Sequence, residues 1–323
     1  RALLELGASV HTLNYALLKD DILGFLATHP EPRKDHHPDD SPLVRAVVAL
    51  LEEGGPFDLT LGLFYDWDLA DPVTAALRKH GGRLINYPLN LLDQPGHFAR
   101  GRELFDEIWC AEEEAMAELG PKARYVPMAS EPWIFRPLPQ AIERPRLLFV
   151  GSAYGARRAM LARCSEVLET TVAGSRFDAA GALRDLARTI LRERRLPSPS
   201  TLFLGQPPIG DEAYVRLAAT HGVSAGFADV VREGTGQRFH KVRLREYDAT
   251  MTGLCHLAFR LPELERHFED SKEILLYQSQ DELLELLARV ARGEIDWRSI
   301  GARARKRAAR DHTWTQRFSA ALR

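Results

Sequence analysis

The stretch HKVRLREYD places Lys241, Arg243 and Arg245 within five residues, with His240 just before them and Asp248 just after. Cations so spaced can neutralise a diphosphate, and a carboxylate near them can accept from the hydroxyls of a ribose. Gly234 and Gly236, just upstream, let a backbone approach a ligand closely. A second anion site is written in LLFVGSAYGARR. Gly151 and Ser152 leave an apolar run, Gly155 eases the turn, and Arg157 and Arg158 open a helix whose N-terminal amides can hold a phosphate. The glycines read G-x-x-x-G, short of the full dinucleotide fingerprint. Ordinary surface charge and a tight strand-to-helix turn explain both stretches as well.

Further candidates follow downstream and upstream. In FRLPELERHF, Arg260 ends a strand, the amides from Leu261 to Leu264 can face a sugar or phosphate, and Glu263 can orient a hydroxyl. Glu265 and Glu269 are expected in solvent, and Glu273 on backbone amides. Asp66 and Asp68 in LFYDWDLADP follow an apolar strand, where a carboxylate in a dry site can take a proton from a hydroxyl. A cap or turn role accounts for them equally; His97 and His11 are other candidate bases. The run THPEPRKDHHPDD holds His29, His36, His37, Asp39 and Asp40, yet it lacks a helical ligand spacing and reads as a polar loop.

These residues need elements to hold them, and the hydropathy pattern supplies a series. RALLELGASVHTL reads as helix, Gly7 and strand; SPLVRAVVALLEEGG as a helix; FDLTLGLFYDW as a strand; and DPVTAALRKHGG as a helix. RLINYPL, LFDEIWCAEEEAMAELG and ARYVPM continue the series. Five prolines from Pro127 to Pro145 interrupt it and read as a linker. The alternation restarts with RLLFVGSAYGARRAMLARC and runs through a strand expected in TLFLG to helices near the end, where Ser279 and Glu282 have capping-box spacing. The fold class expected is α/β, two Rossmann-like parallel-sheet domains facing a cleft, with one large open sheet as the rival. The domains expected are 1–135, 136–312 and a terminal helix, 313–323, packing back on the first.

The 323 residues suffice for two such domains. A net charge of -2 argues against a nucleic-acid surface, and the basic run from Arg303 to Arg310 reads as a solvated helix face. Three cysteines far apart in sequence form neither a disulfide framework nor a metal motif, so a reducing, cytoplasmic compartment is expected. No run reaches the roughly 20 apolar residues of a membrane span. The sequence starts at Arg1 rather than Met, and a longer natural chain is expected upstream.

The run KVRLREYDATMTGLCHLAFRLPELERHFEDSKEILLY, 241–277, resembles the signature of the CgeB-like glycosyltransferases, two-domain enzymes of the GT-B class. SQDELLELLARV and ARDHTWTQRF resemble that group's closing helices, LLFVGSAYGARRAML its second-domain opening and YVPMASEPWIFRP its interdomain connection. The resemblance spans roughly residues 55–320. It implies a nucleotide diphosphate sugar as donor, bound by the second domain through Gly151, Ser152, Arg157, Lys241, Arg243, Arg245, Leu261, Glu263 and Leu264. It implies a hydroxyl-bearing acceptor on the first domain, with Asp248 where the group has a ribose-binding Glu. His240 stands where related retaining enzymes have a second carboxylate, and Asn90 near where the group often has Asp. No metal or other cofactor is required by this arrangement. A binding protein without turnover and a nicotinamide oxidoreductase are the alternatives.

Overall fold

Short apolar runs separated by helices form two separate parallel sheets in the computed structural model, which describes residues 1–13, 39, 41–92, 95–139, 142–153, 155–191, 194, 196, 202–231 and 235–323. The chain divides into two units. One comprises Arg1–Pro127, Val231–Gln237 and Phe318–Arg323; the other comprises Met128–Val230 and Arg238–Arg317.

In the first unit, β1 (Leu59–Gly62), β2 (Arg83–Asn86), β3 (Glu107–Cys110) and β4 (Ala123–Tyr125) lie side by side in chain order, each pair parallel. The helix Pro42–Gly54 starts where Ser41 Oγ accepts from Val44 N at 3.2 Å and Pro42 occupies the first turn. Its Val44 and Leu51 pack with Leu69, Val73, Leu77, Leu84 and Phe105. The strand expected over 8–13 is absent: the Ala2–Glu5 helix ends, Gly7 turns at φ +85°, and the following residues stay largely exposed with no face to bury. The ring of Phe318 lies 5.9 Å from that of Trp109, and Arg124 donates to Ala321 O.

In the second unit, β5 (Arg146–Val150), β6 (Thr170–Ala173), β7 (Gly222–Ala225), β10 (Cys255–Phe259) and β11 (Leu275–Tyr277) form a parallel sheet in the order β11-β10-β7-β5-β6. A separate ribbon pairs β8 (Asp229–Val231) with β9 (Arg238–His240). Leu147, Phe149, Val223, Leu257 and Leu275 from the sheet share one core with Leu161, Leu283, Leu287 and Trp297 from the helices. Of TLFLG, the described residues 202–205 form no strand. Gly205 N donates to Phe177 O and Gln206 N to Val172 O, so this segment touches β6 through a single bridge, Ala173 to Gln206. The strand the pattern missed there is β7, GVSA. Ser279 Oγ caps Glu282 N at 3.1 Å, and Glu282 returns the bond by accepting from Gln278 N. Among the described residues, no helix is long and apolar enough to cross a membrane.

Candidate active site

The second sheet reverses its winding between β5 and β7. From β5 the chain moves outward to β6, then returns past β5 to lay down β7 on the opposite side. Loops leaving the carboxyl ends of those two strands diverge, and open α/β sheets bind ligands in the crevice so formed.

One wall is the turn after β5. Gly151 N donates to Ala173 O at 2.9 Å, Ala153 N donates to Ser175 O at 3.1 Å, and Ser152 Oγ lies 2.6 Å from Ser175 Oγ. The two turns touch so closely that a Cβ on Gly174, which sits at φ +151°, would fall 1.7 Å from Gly151 O. The helix Arg157–Val167 then begins without a side-chain cap, at the positive end of its dipole.

The other wall is the turn after β7, residues 226–229, which leads into the β8–β9 ribbon. Arg157 joins the walls: its Nη2 donates to Phe227 O at 3.0 Å and to Asp229 O at 3.2 Å, and its Nη1 to Ser152 O at 3.2 Å. Arg157 is 7% exposed, and so neither a solvent arginine nor an open phosphate ligand; carbonyls hold its guanidinium. Arg158, 3% exposed, is likewise built in, paired with Asp185 at 3.1 Å and donating to Phe203 O. Asp229, which the sequence reading passed over, is where the cations gather. Its carbonyl also accepts from Arg243 Nη2 at 3.3 Å, and its carboxylate oxygen lies 3.1 Å from His240 Nε2. His240 packs its ring on Phe259, with centroids 4.4 Å apart.

Beneath the 226–229 turn lies a buried polar cluster. Tyr277 OH donates to Gly226 O at 2.6 Å, Ser224 Oγ lies 2.8 Å from His256 Nδ1, and Arg243 N donates to Glu246 Oε2 at 2.8 Å. Burial pushes the Glu246 pKa up to about 7 and that of His256 down to about 3, so both favour neutral forms. A Cβ on Gly226 would meet Glu246 Oε1 at 2.8 Å and His256 Nε2 at 2.9 Å.

Gly151, Ser152, Arg157, His240 and Arg243 therefore converge on one crevice, with Lys241 anchored beside it through its amide to Ala228 O. Arg245 and Asp248 do not join them as open ligands. Asp248 is 2% exposed; Ser130 Oγ donates to its Oδ1 at 2.8 Å, and Arg245 Nη1 lies 3.4 Å from its Oδ2. Arg245 also stacks on Tyr214, 4.6 Å from the ring centroid. Burial pushes the Asp248 pKa up to about 7, against the lowering by Arg245 and Ser130. Asp248 is therefore enclosed between Ser130 and Arg245, a bracing position inside the second unit.

The run from Leu261 to Leu264 also changes meaning. Pro262 has no N–H and the helix Pro262–His267 is short, while Leu264 is 1% exposed and packs in the interior. Glu263 is half-buried on that helix. Arg260 forms a clamp, 2.6 Å from Glu265 and paired with Asp270, whose Oδ1 accepts from Leu276 N. Glu265 is thus engaged rather than simply solvated, and Glu273 does accept from a backbone amide, that of Glu269.

In the first unit, Asp66 and Asp68 occupy a single helical turn after β1, yet they differ in chemistry. Asp66 accepts from three amides, Ala99 N at 2.8 Å, Arg100 N at 2.9 Å and Gly101 N at 3.3 Å. Its carboxylate holds that loop through these three bonds. Asp68 accepts from Tyr65 N at 2.9 Å, and burial pushes its pKa up to about 6 despite that bond. Phe64 and Asn86 exchange two hydrogen bonds, 2.9 and 2.8 Å, which fix the start of this turn against β2. Gly234 and His29, His36, His37 and Asp40 lie outside the described residues. Among the described residues no group of three or more His, Cys, Asp or Glu is placed to hold a metal, and Cys110, Cys164 and Cys255 are buried free thiols.

Comparison with known proteins gives this geometry a class. No curated protein matches the chain. Among solved structures it is similar to sucrose-phosphate synthase from Thermosynechococcus elongatus, at 13% identity and TM-score 0.55, over 98% of this chain and 80% of that one. It is also similar to Anabaena HepE in complex with UDP and glucose, at 11% identity and TM-score 0.57, over 93% of this chain and 88% of that one. TarM of S. aureus aligns at 10% identity and TM-score 0.56, over 87% of this chain and 57% of that one. At such identities these structures establish the fold, which is that of the GT-B glycosyltransferases. Residues 157–323, more than half of the sequence and containing Arg157, His240 and Arg243, match a family described as glycosyl transferase-like, and the chain belongs to that family.

Proposed function

We propose that the protein is a glycosyltransferase of the CgeB-like kind, moving a sugar from a nucleotide diphosphate sugar to a hydroxyl-bearing acceptor. The observation that carries this reading is the crevice at the β5–β7 winding reversal. There an uncapped helix N-terminus, the Gly151–Ser152 turn and Arg243 surround a position suited to a diphosphate. HepE, similar in fold, was solved with UDP-glucose, which favours a uridine nucleotide as the first donor to test.

In the reaction the acceptor oxygen attacks the anomeric carbon as the bond from that carbon to the diphosphate oxygen breaks. Negative charge grows on the departing diphosphate, and donors already fixed in place stabilise it without reorganisation. Arg157 contributes by its charge and by holding the two walls together; Arg243 and the helix amides contribute contact. The acceptor proton needs a base, and Asp68 on the first unit, with its pKa near 6, is assigned that role. A second reading, nucleotide binding without turnover, rests on His240, which occupies a carboxylate position of related retaining enzymes and is paired with Asp229.

The test is turnover. Purified protein with UDP-glucose, UDP-N-acetylglucosamine or a comparable nucleotide sugar, and a pool of hydroxyl-bearing acceptors, should release nucleoside diphosphate together with a mass-shifted acceptor. Nucleotide binding with no acceptor modified across the pool favours the second reading.

A further inference from the structure

Four aromatic rings, two from the loop after β1 and two from the loop after β2, contact one another at the carboxyl edge of the first sheet. Buried Phe98 lies 4.9 Å from Tyr65, and Tyr65 stacks on Trp67 at 4.5 Å with the planes 11° apart. Trp67 meets His97 at 4.7 Å with the planes at 89°. Tyr65, Trp67 and His97 are partly exposed. The rings are fixed from below: Asn86 ties Phe64 to β2, Asp66 grips the amides that follow Phe98, and Asp68 takes the amide of Tyr65. These bonds hold the backbone of the two loops that present the partly exposed rings.

We infer that Trp67, with Tyr65 and His97, is a stacking platform for a sugar ring, and hence that the acceptor is a carbohydrate. A pyranose has one face of C–H bonds that lies against the electron-rich face of an indole, and a rim of hydroxyls that needs hydrogen-bonding partners. The perpendicular Trp67–His97 pair offers an aromatic wall and an imidazole wall at a right angle, suited to a puckered ring with a polar edge. Rigid aromatic side chains lose little entropy on binding, so a single sugar ring can be held by few contacts. This inference rests on the transfer reading only in naming the bound sugar as the acceptor; the platform itself does not.

The experiment is a printed array of defined oligosaccharides probed with the whole labelled chain, with and without UDP, followed by calorimetry on the strongest hit. The wild type should retain at least one oligosaccharide. Trp67→Ala should weaken that binding by about tenfold or more, and Trp67→Phe should stay within about threefold of wild type, since a smaller ring still stacks. Circular dichroism and UDP affinity of each variant report folding. If Trp67→Ala does not fold, His97→Ala, on a partly exposed side chain, takes its place and should lose about threefold. A wild type that folds and retains no oligosaccharide overturns the inference, as does unchanged glycan affinity in folded Trp67→Ala or, where that variant does not fold, in His97→Ala. Glycan binding through Trp67 with no UDP binding would leave the platform standing and remove the donor reading instead.

Discussion

Asp248→Asn separates a structural carboxylate from a ribose ligand. Asp248 is 2% exposed, and its pKa stands at about 7 against an ordinary 3.8. The folded state therefore binds its proton more tightly than the unfolded chain does. The stability this provides is fully present below the unfolded pKa and is lost as pH rises through the folded one. Three pKa units at 1.36 kcal/mol each set a ceiling of about 4 kcal/mol, with roughly 2–3 kcal/mol of it falling between pH 5 and pH 8. Asn keeps an acceptor for Ser130 Oγ and cannot ionise, so the variant lacks this dependence. Urea unfolding of both proteins at pH 5 and pH 8 measures it. The wild type should lose stability relative to the variant by about 2 kcal/mol over that interval, with UDP affinity within about twofold of wild type. Parallel pH curves, or a large loss of affinity for ribonucleotides but not deoxyribonucleotides, would refute the brace and restore the hydroxyl contact.

Other substitutions probe the remaining pieces. Gly226→Ala forces a methyl against Glu246 Oε1 and His256 Nε2, both buried, and should cost about 2 kcal/mol in thermal or urea unfolding; an unchanged melting temperature would deny the crowding. Asp68→Asn should lower kcat and remove an acid limb near pH 6 from the rate profile, because a base works only when deprotonated and activity falls as pH drops through about 6. Asp66→Ala should instead lower stability by about 1–3 kcal/mol, through the three amides it leaves unpaired, with the pH profile unmoved. Arg158→Met leaves half-buried Asp185 with Arg188 alone and removes the donor from the carbonyls of Phe203 and Arg176, and should destabilise by about 1–3 kcal/mol without changing the ratio of UDP to uridine affinity.

The sheets were legible where hydrophobic runs are long or bounded by caps, as in RLLFV and at Ser279–Glu282. β7 was not, because GVSA is short, contains Ser224 and lies between glycines; its burial comes from β5 and β10 on either side. ASVHTL has the apolar content of a strand but no neighbour to pair with among the described residues. The cations of the proposed donor crevice were visible as residue types, but their acceptors were not. Arg157 is held by the carbonyls of Phe227 and Asp229, and a carbonyl leaves no mark in a sequence. For the same reason Asp66 and Asp68 looked alike, although one is taken up by amides some thirty residues away.

Every step of the proposed transfer depends on diphosphate binding in the β5–β7 crevice. Calorimetric titration of UDP and of uridine into the wild type and Arg243→Ala tests it most directly, with circular dichroism as the folding control. The wild type should bind UDP more tightly than uridine. Arg243→Ala should weaken UDP by about 30-fold, the loss of one charge-assisted contact worth about 2 kcal/mol, and leave uridine unchanged. A folded wild type that binds no nucleoside diphosphate, or an Arg243→Ala variant that binds UDP as tightly as wild type, would contradict it.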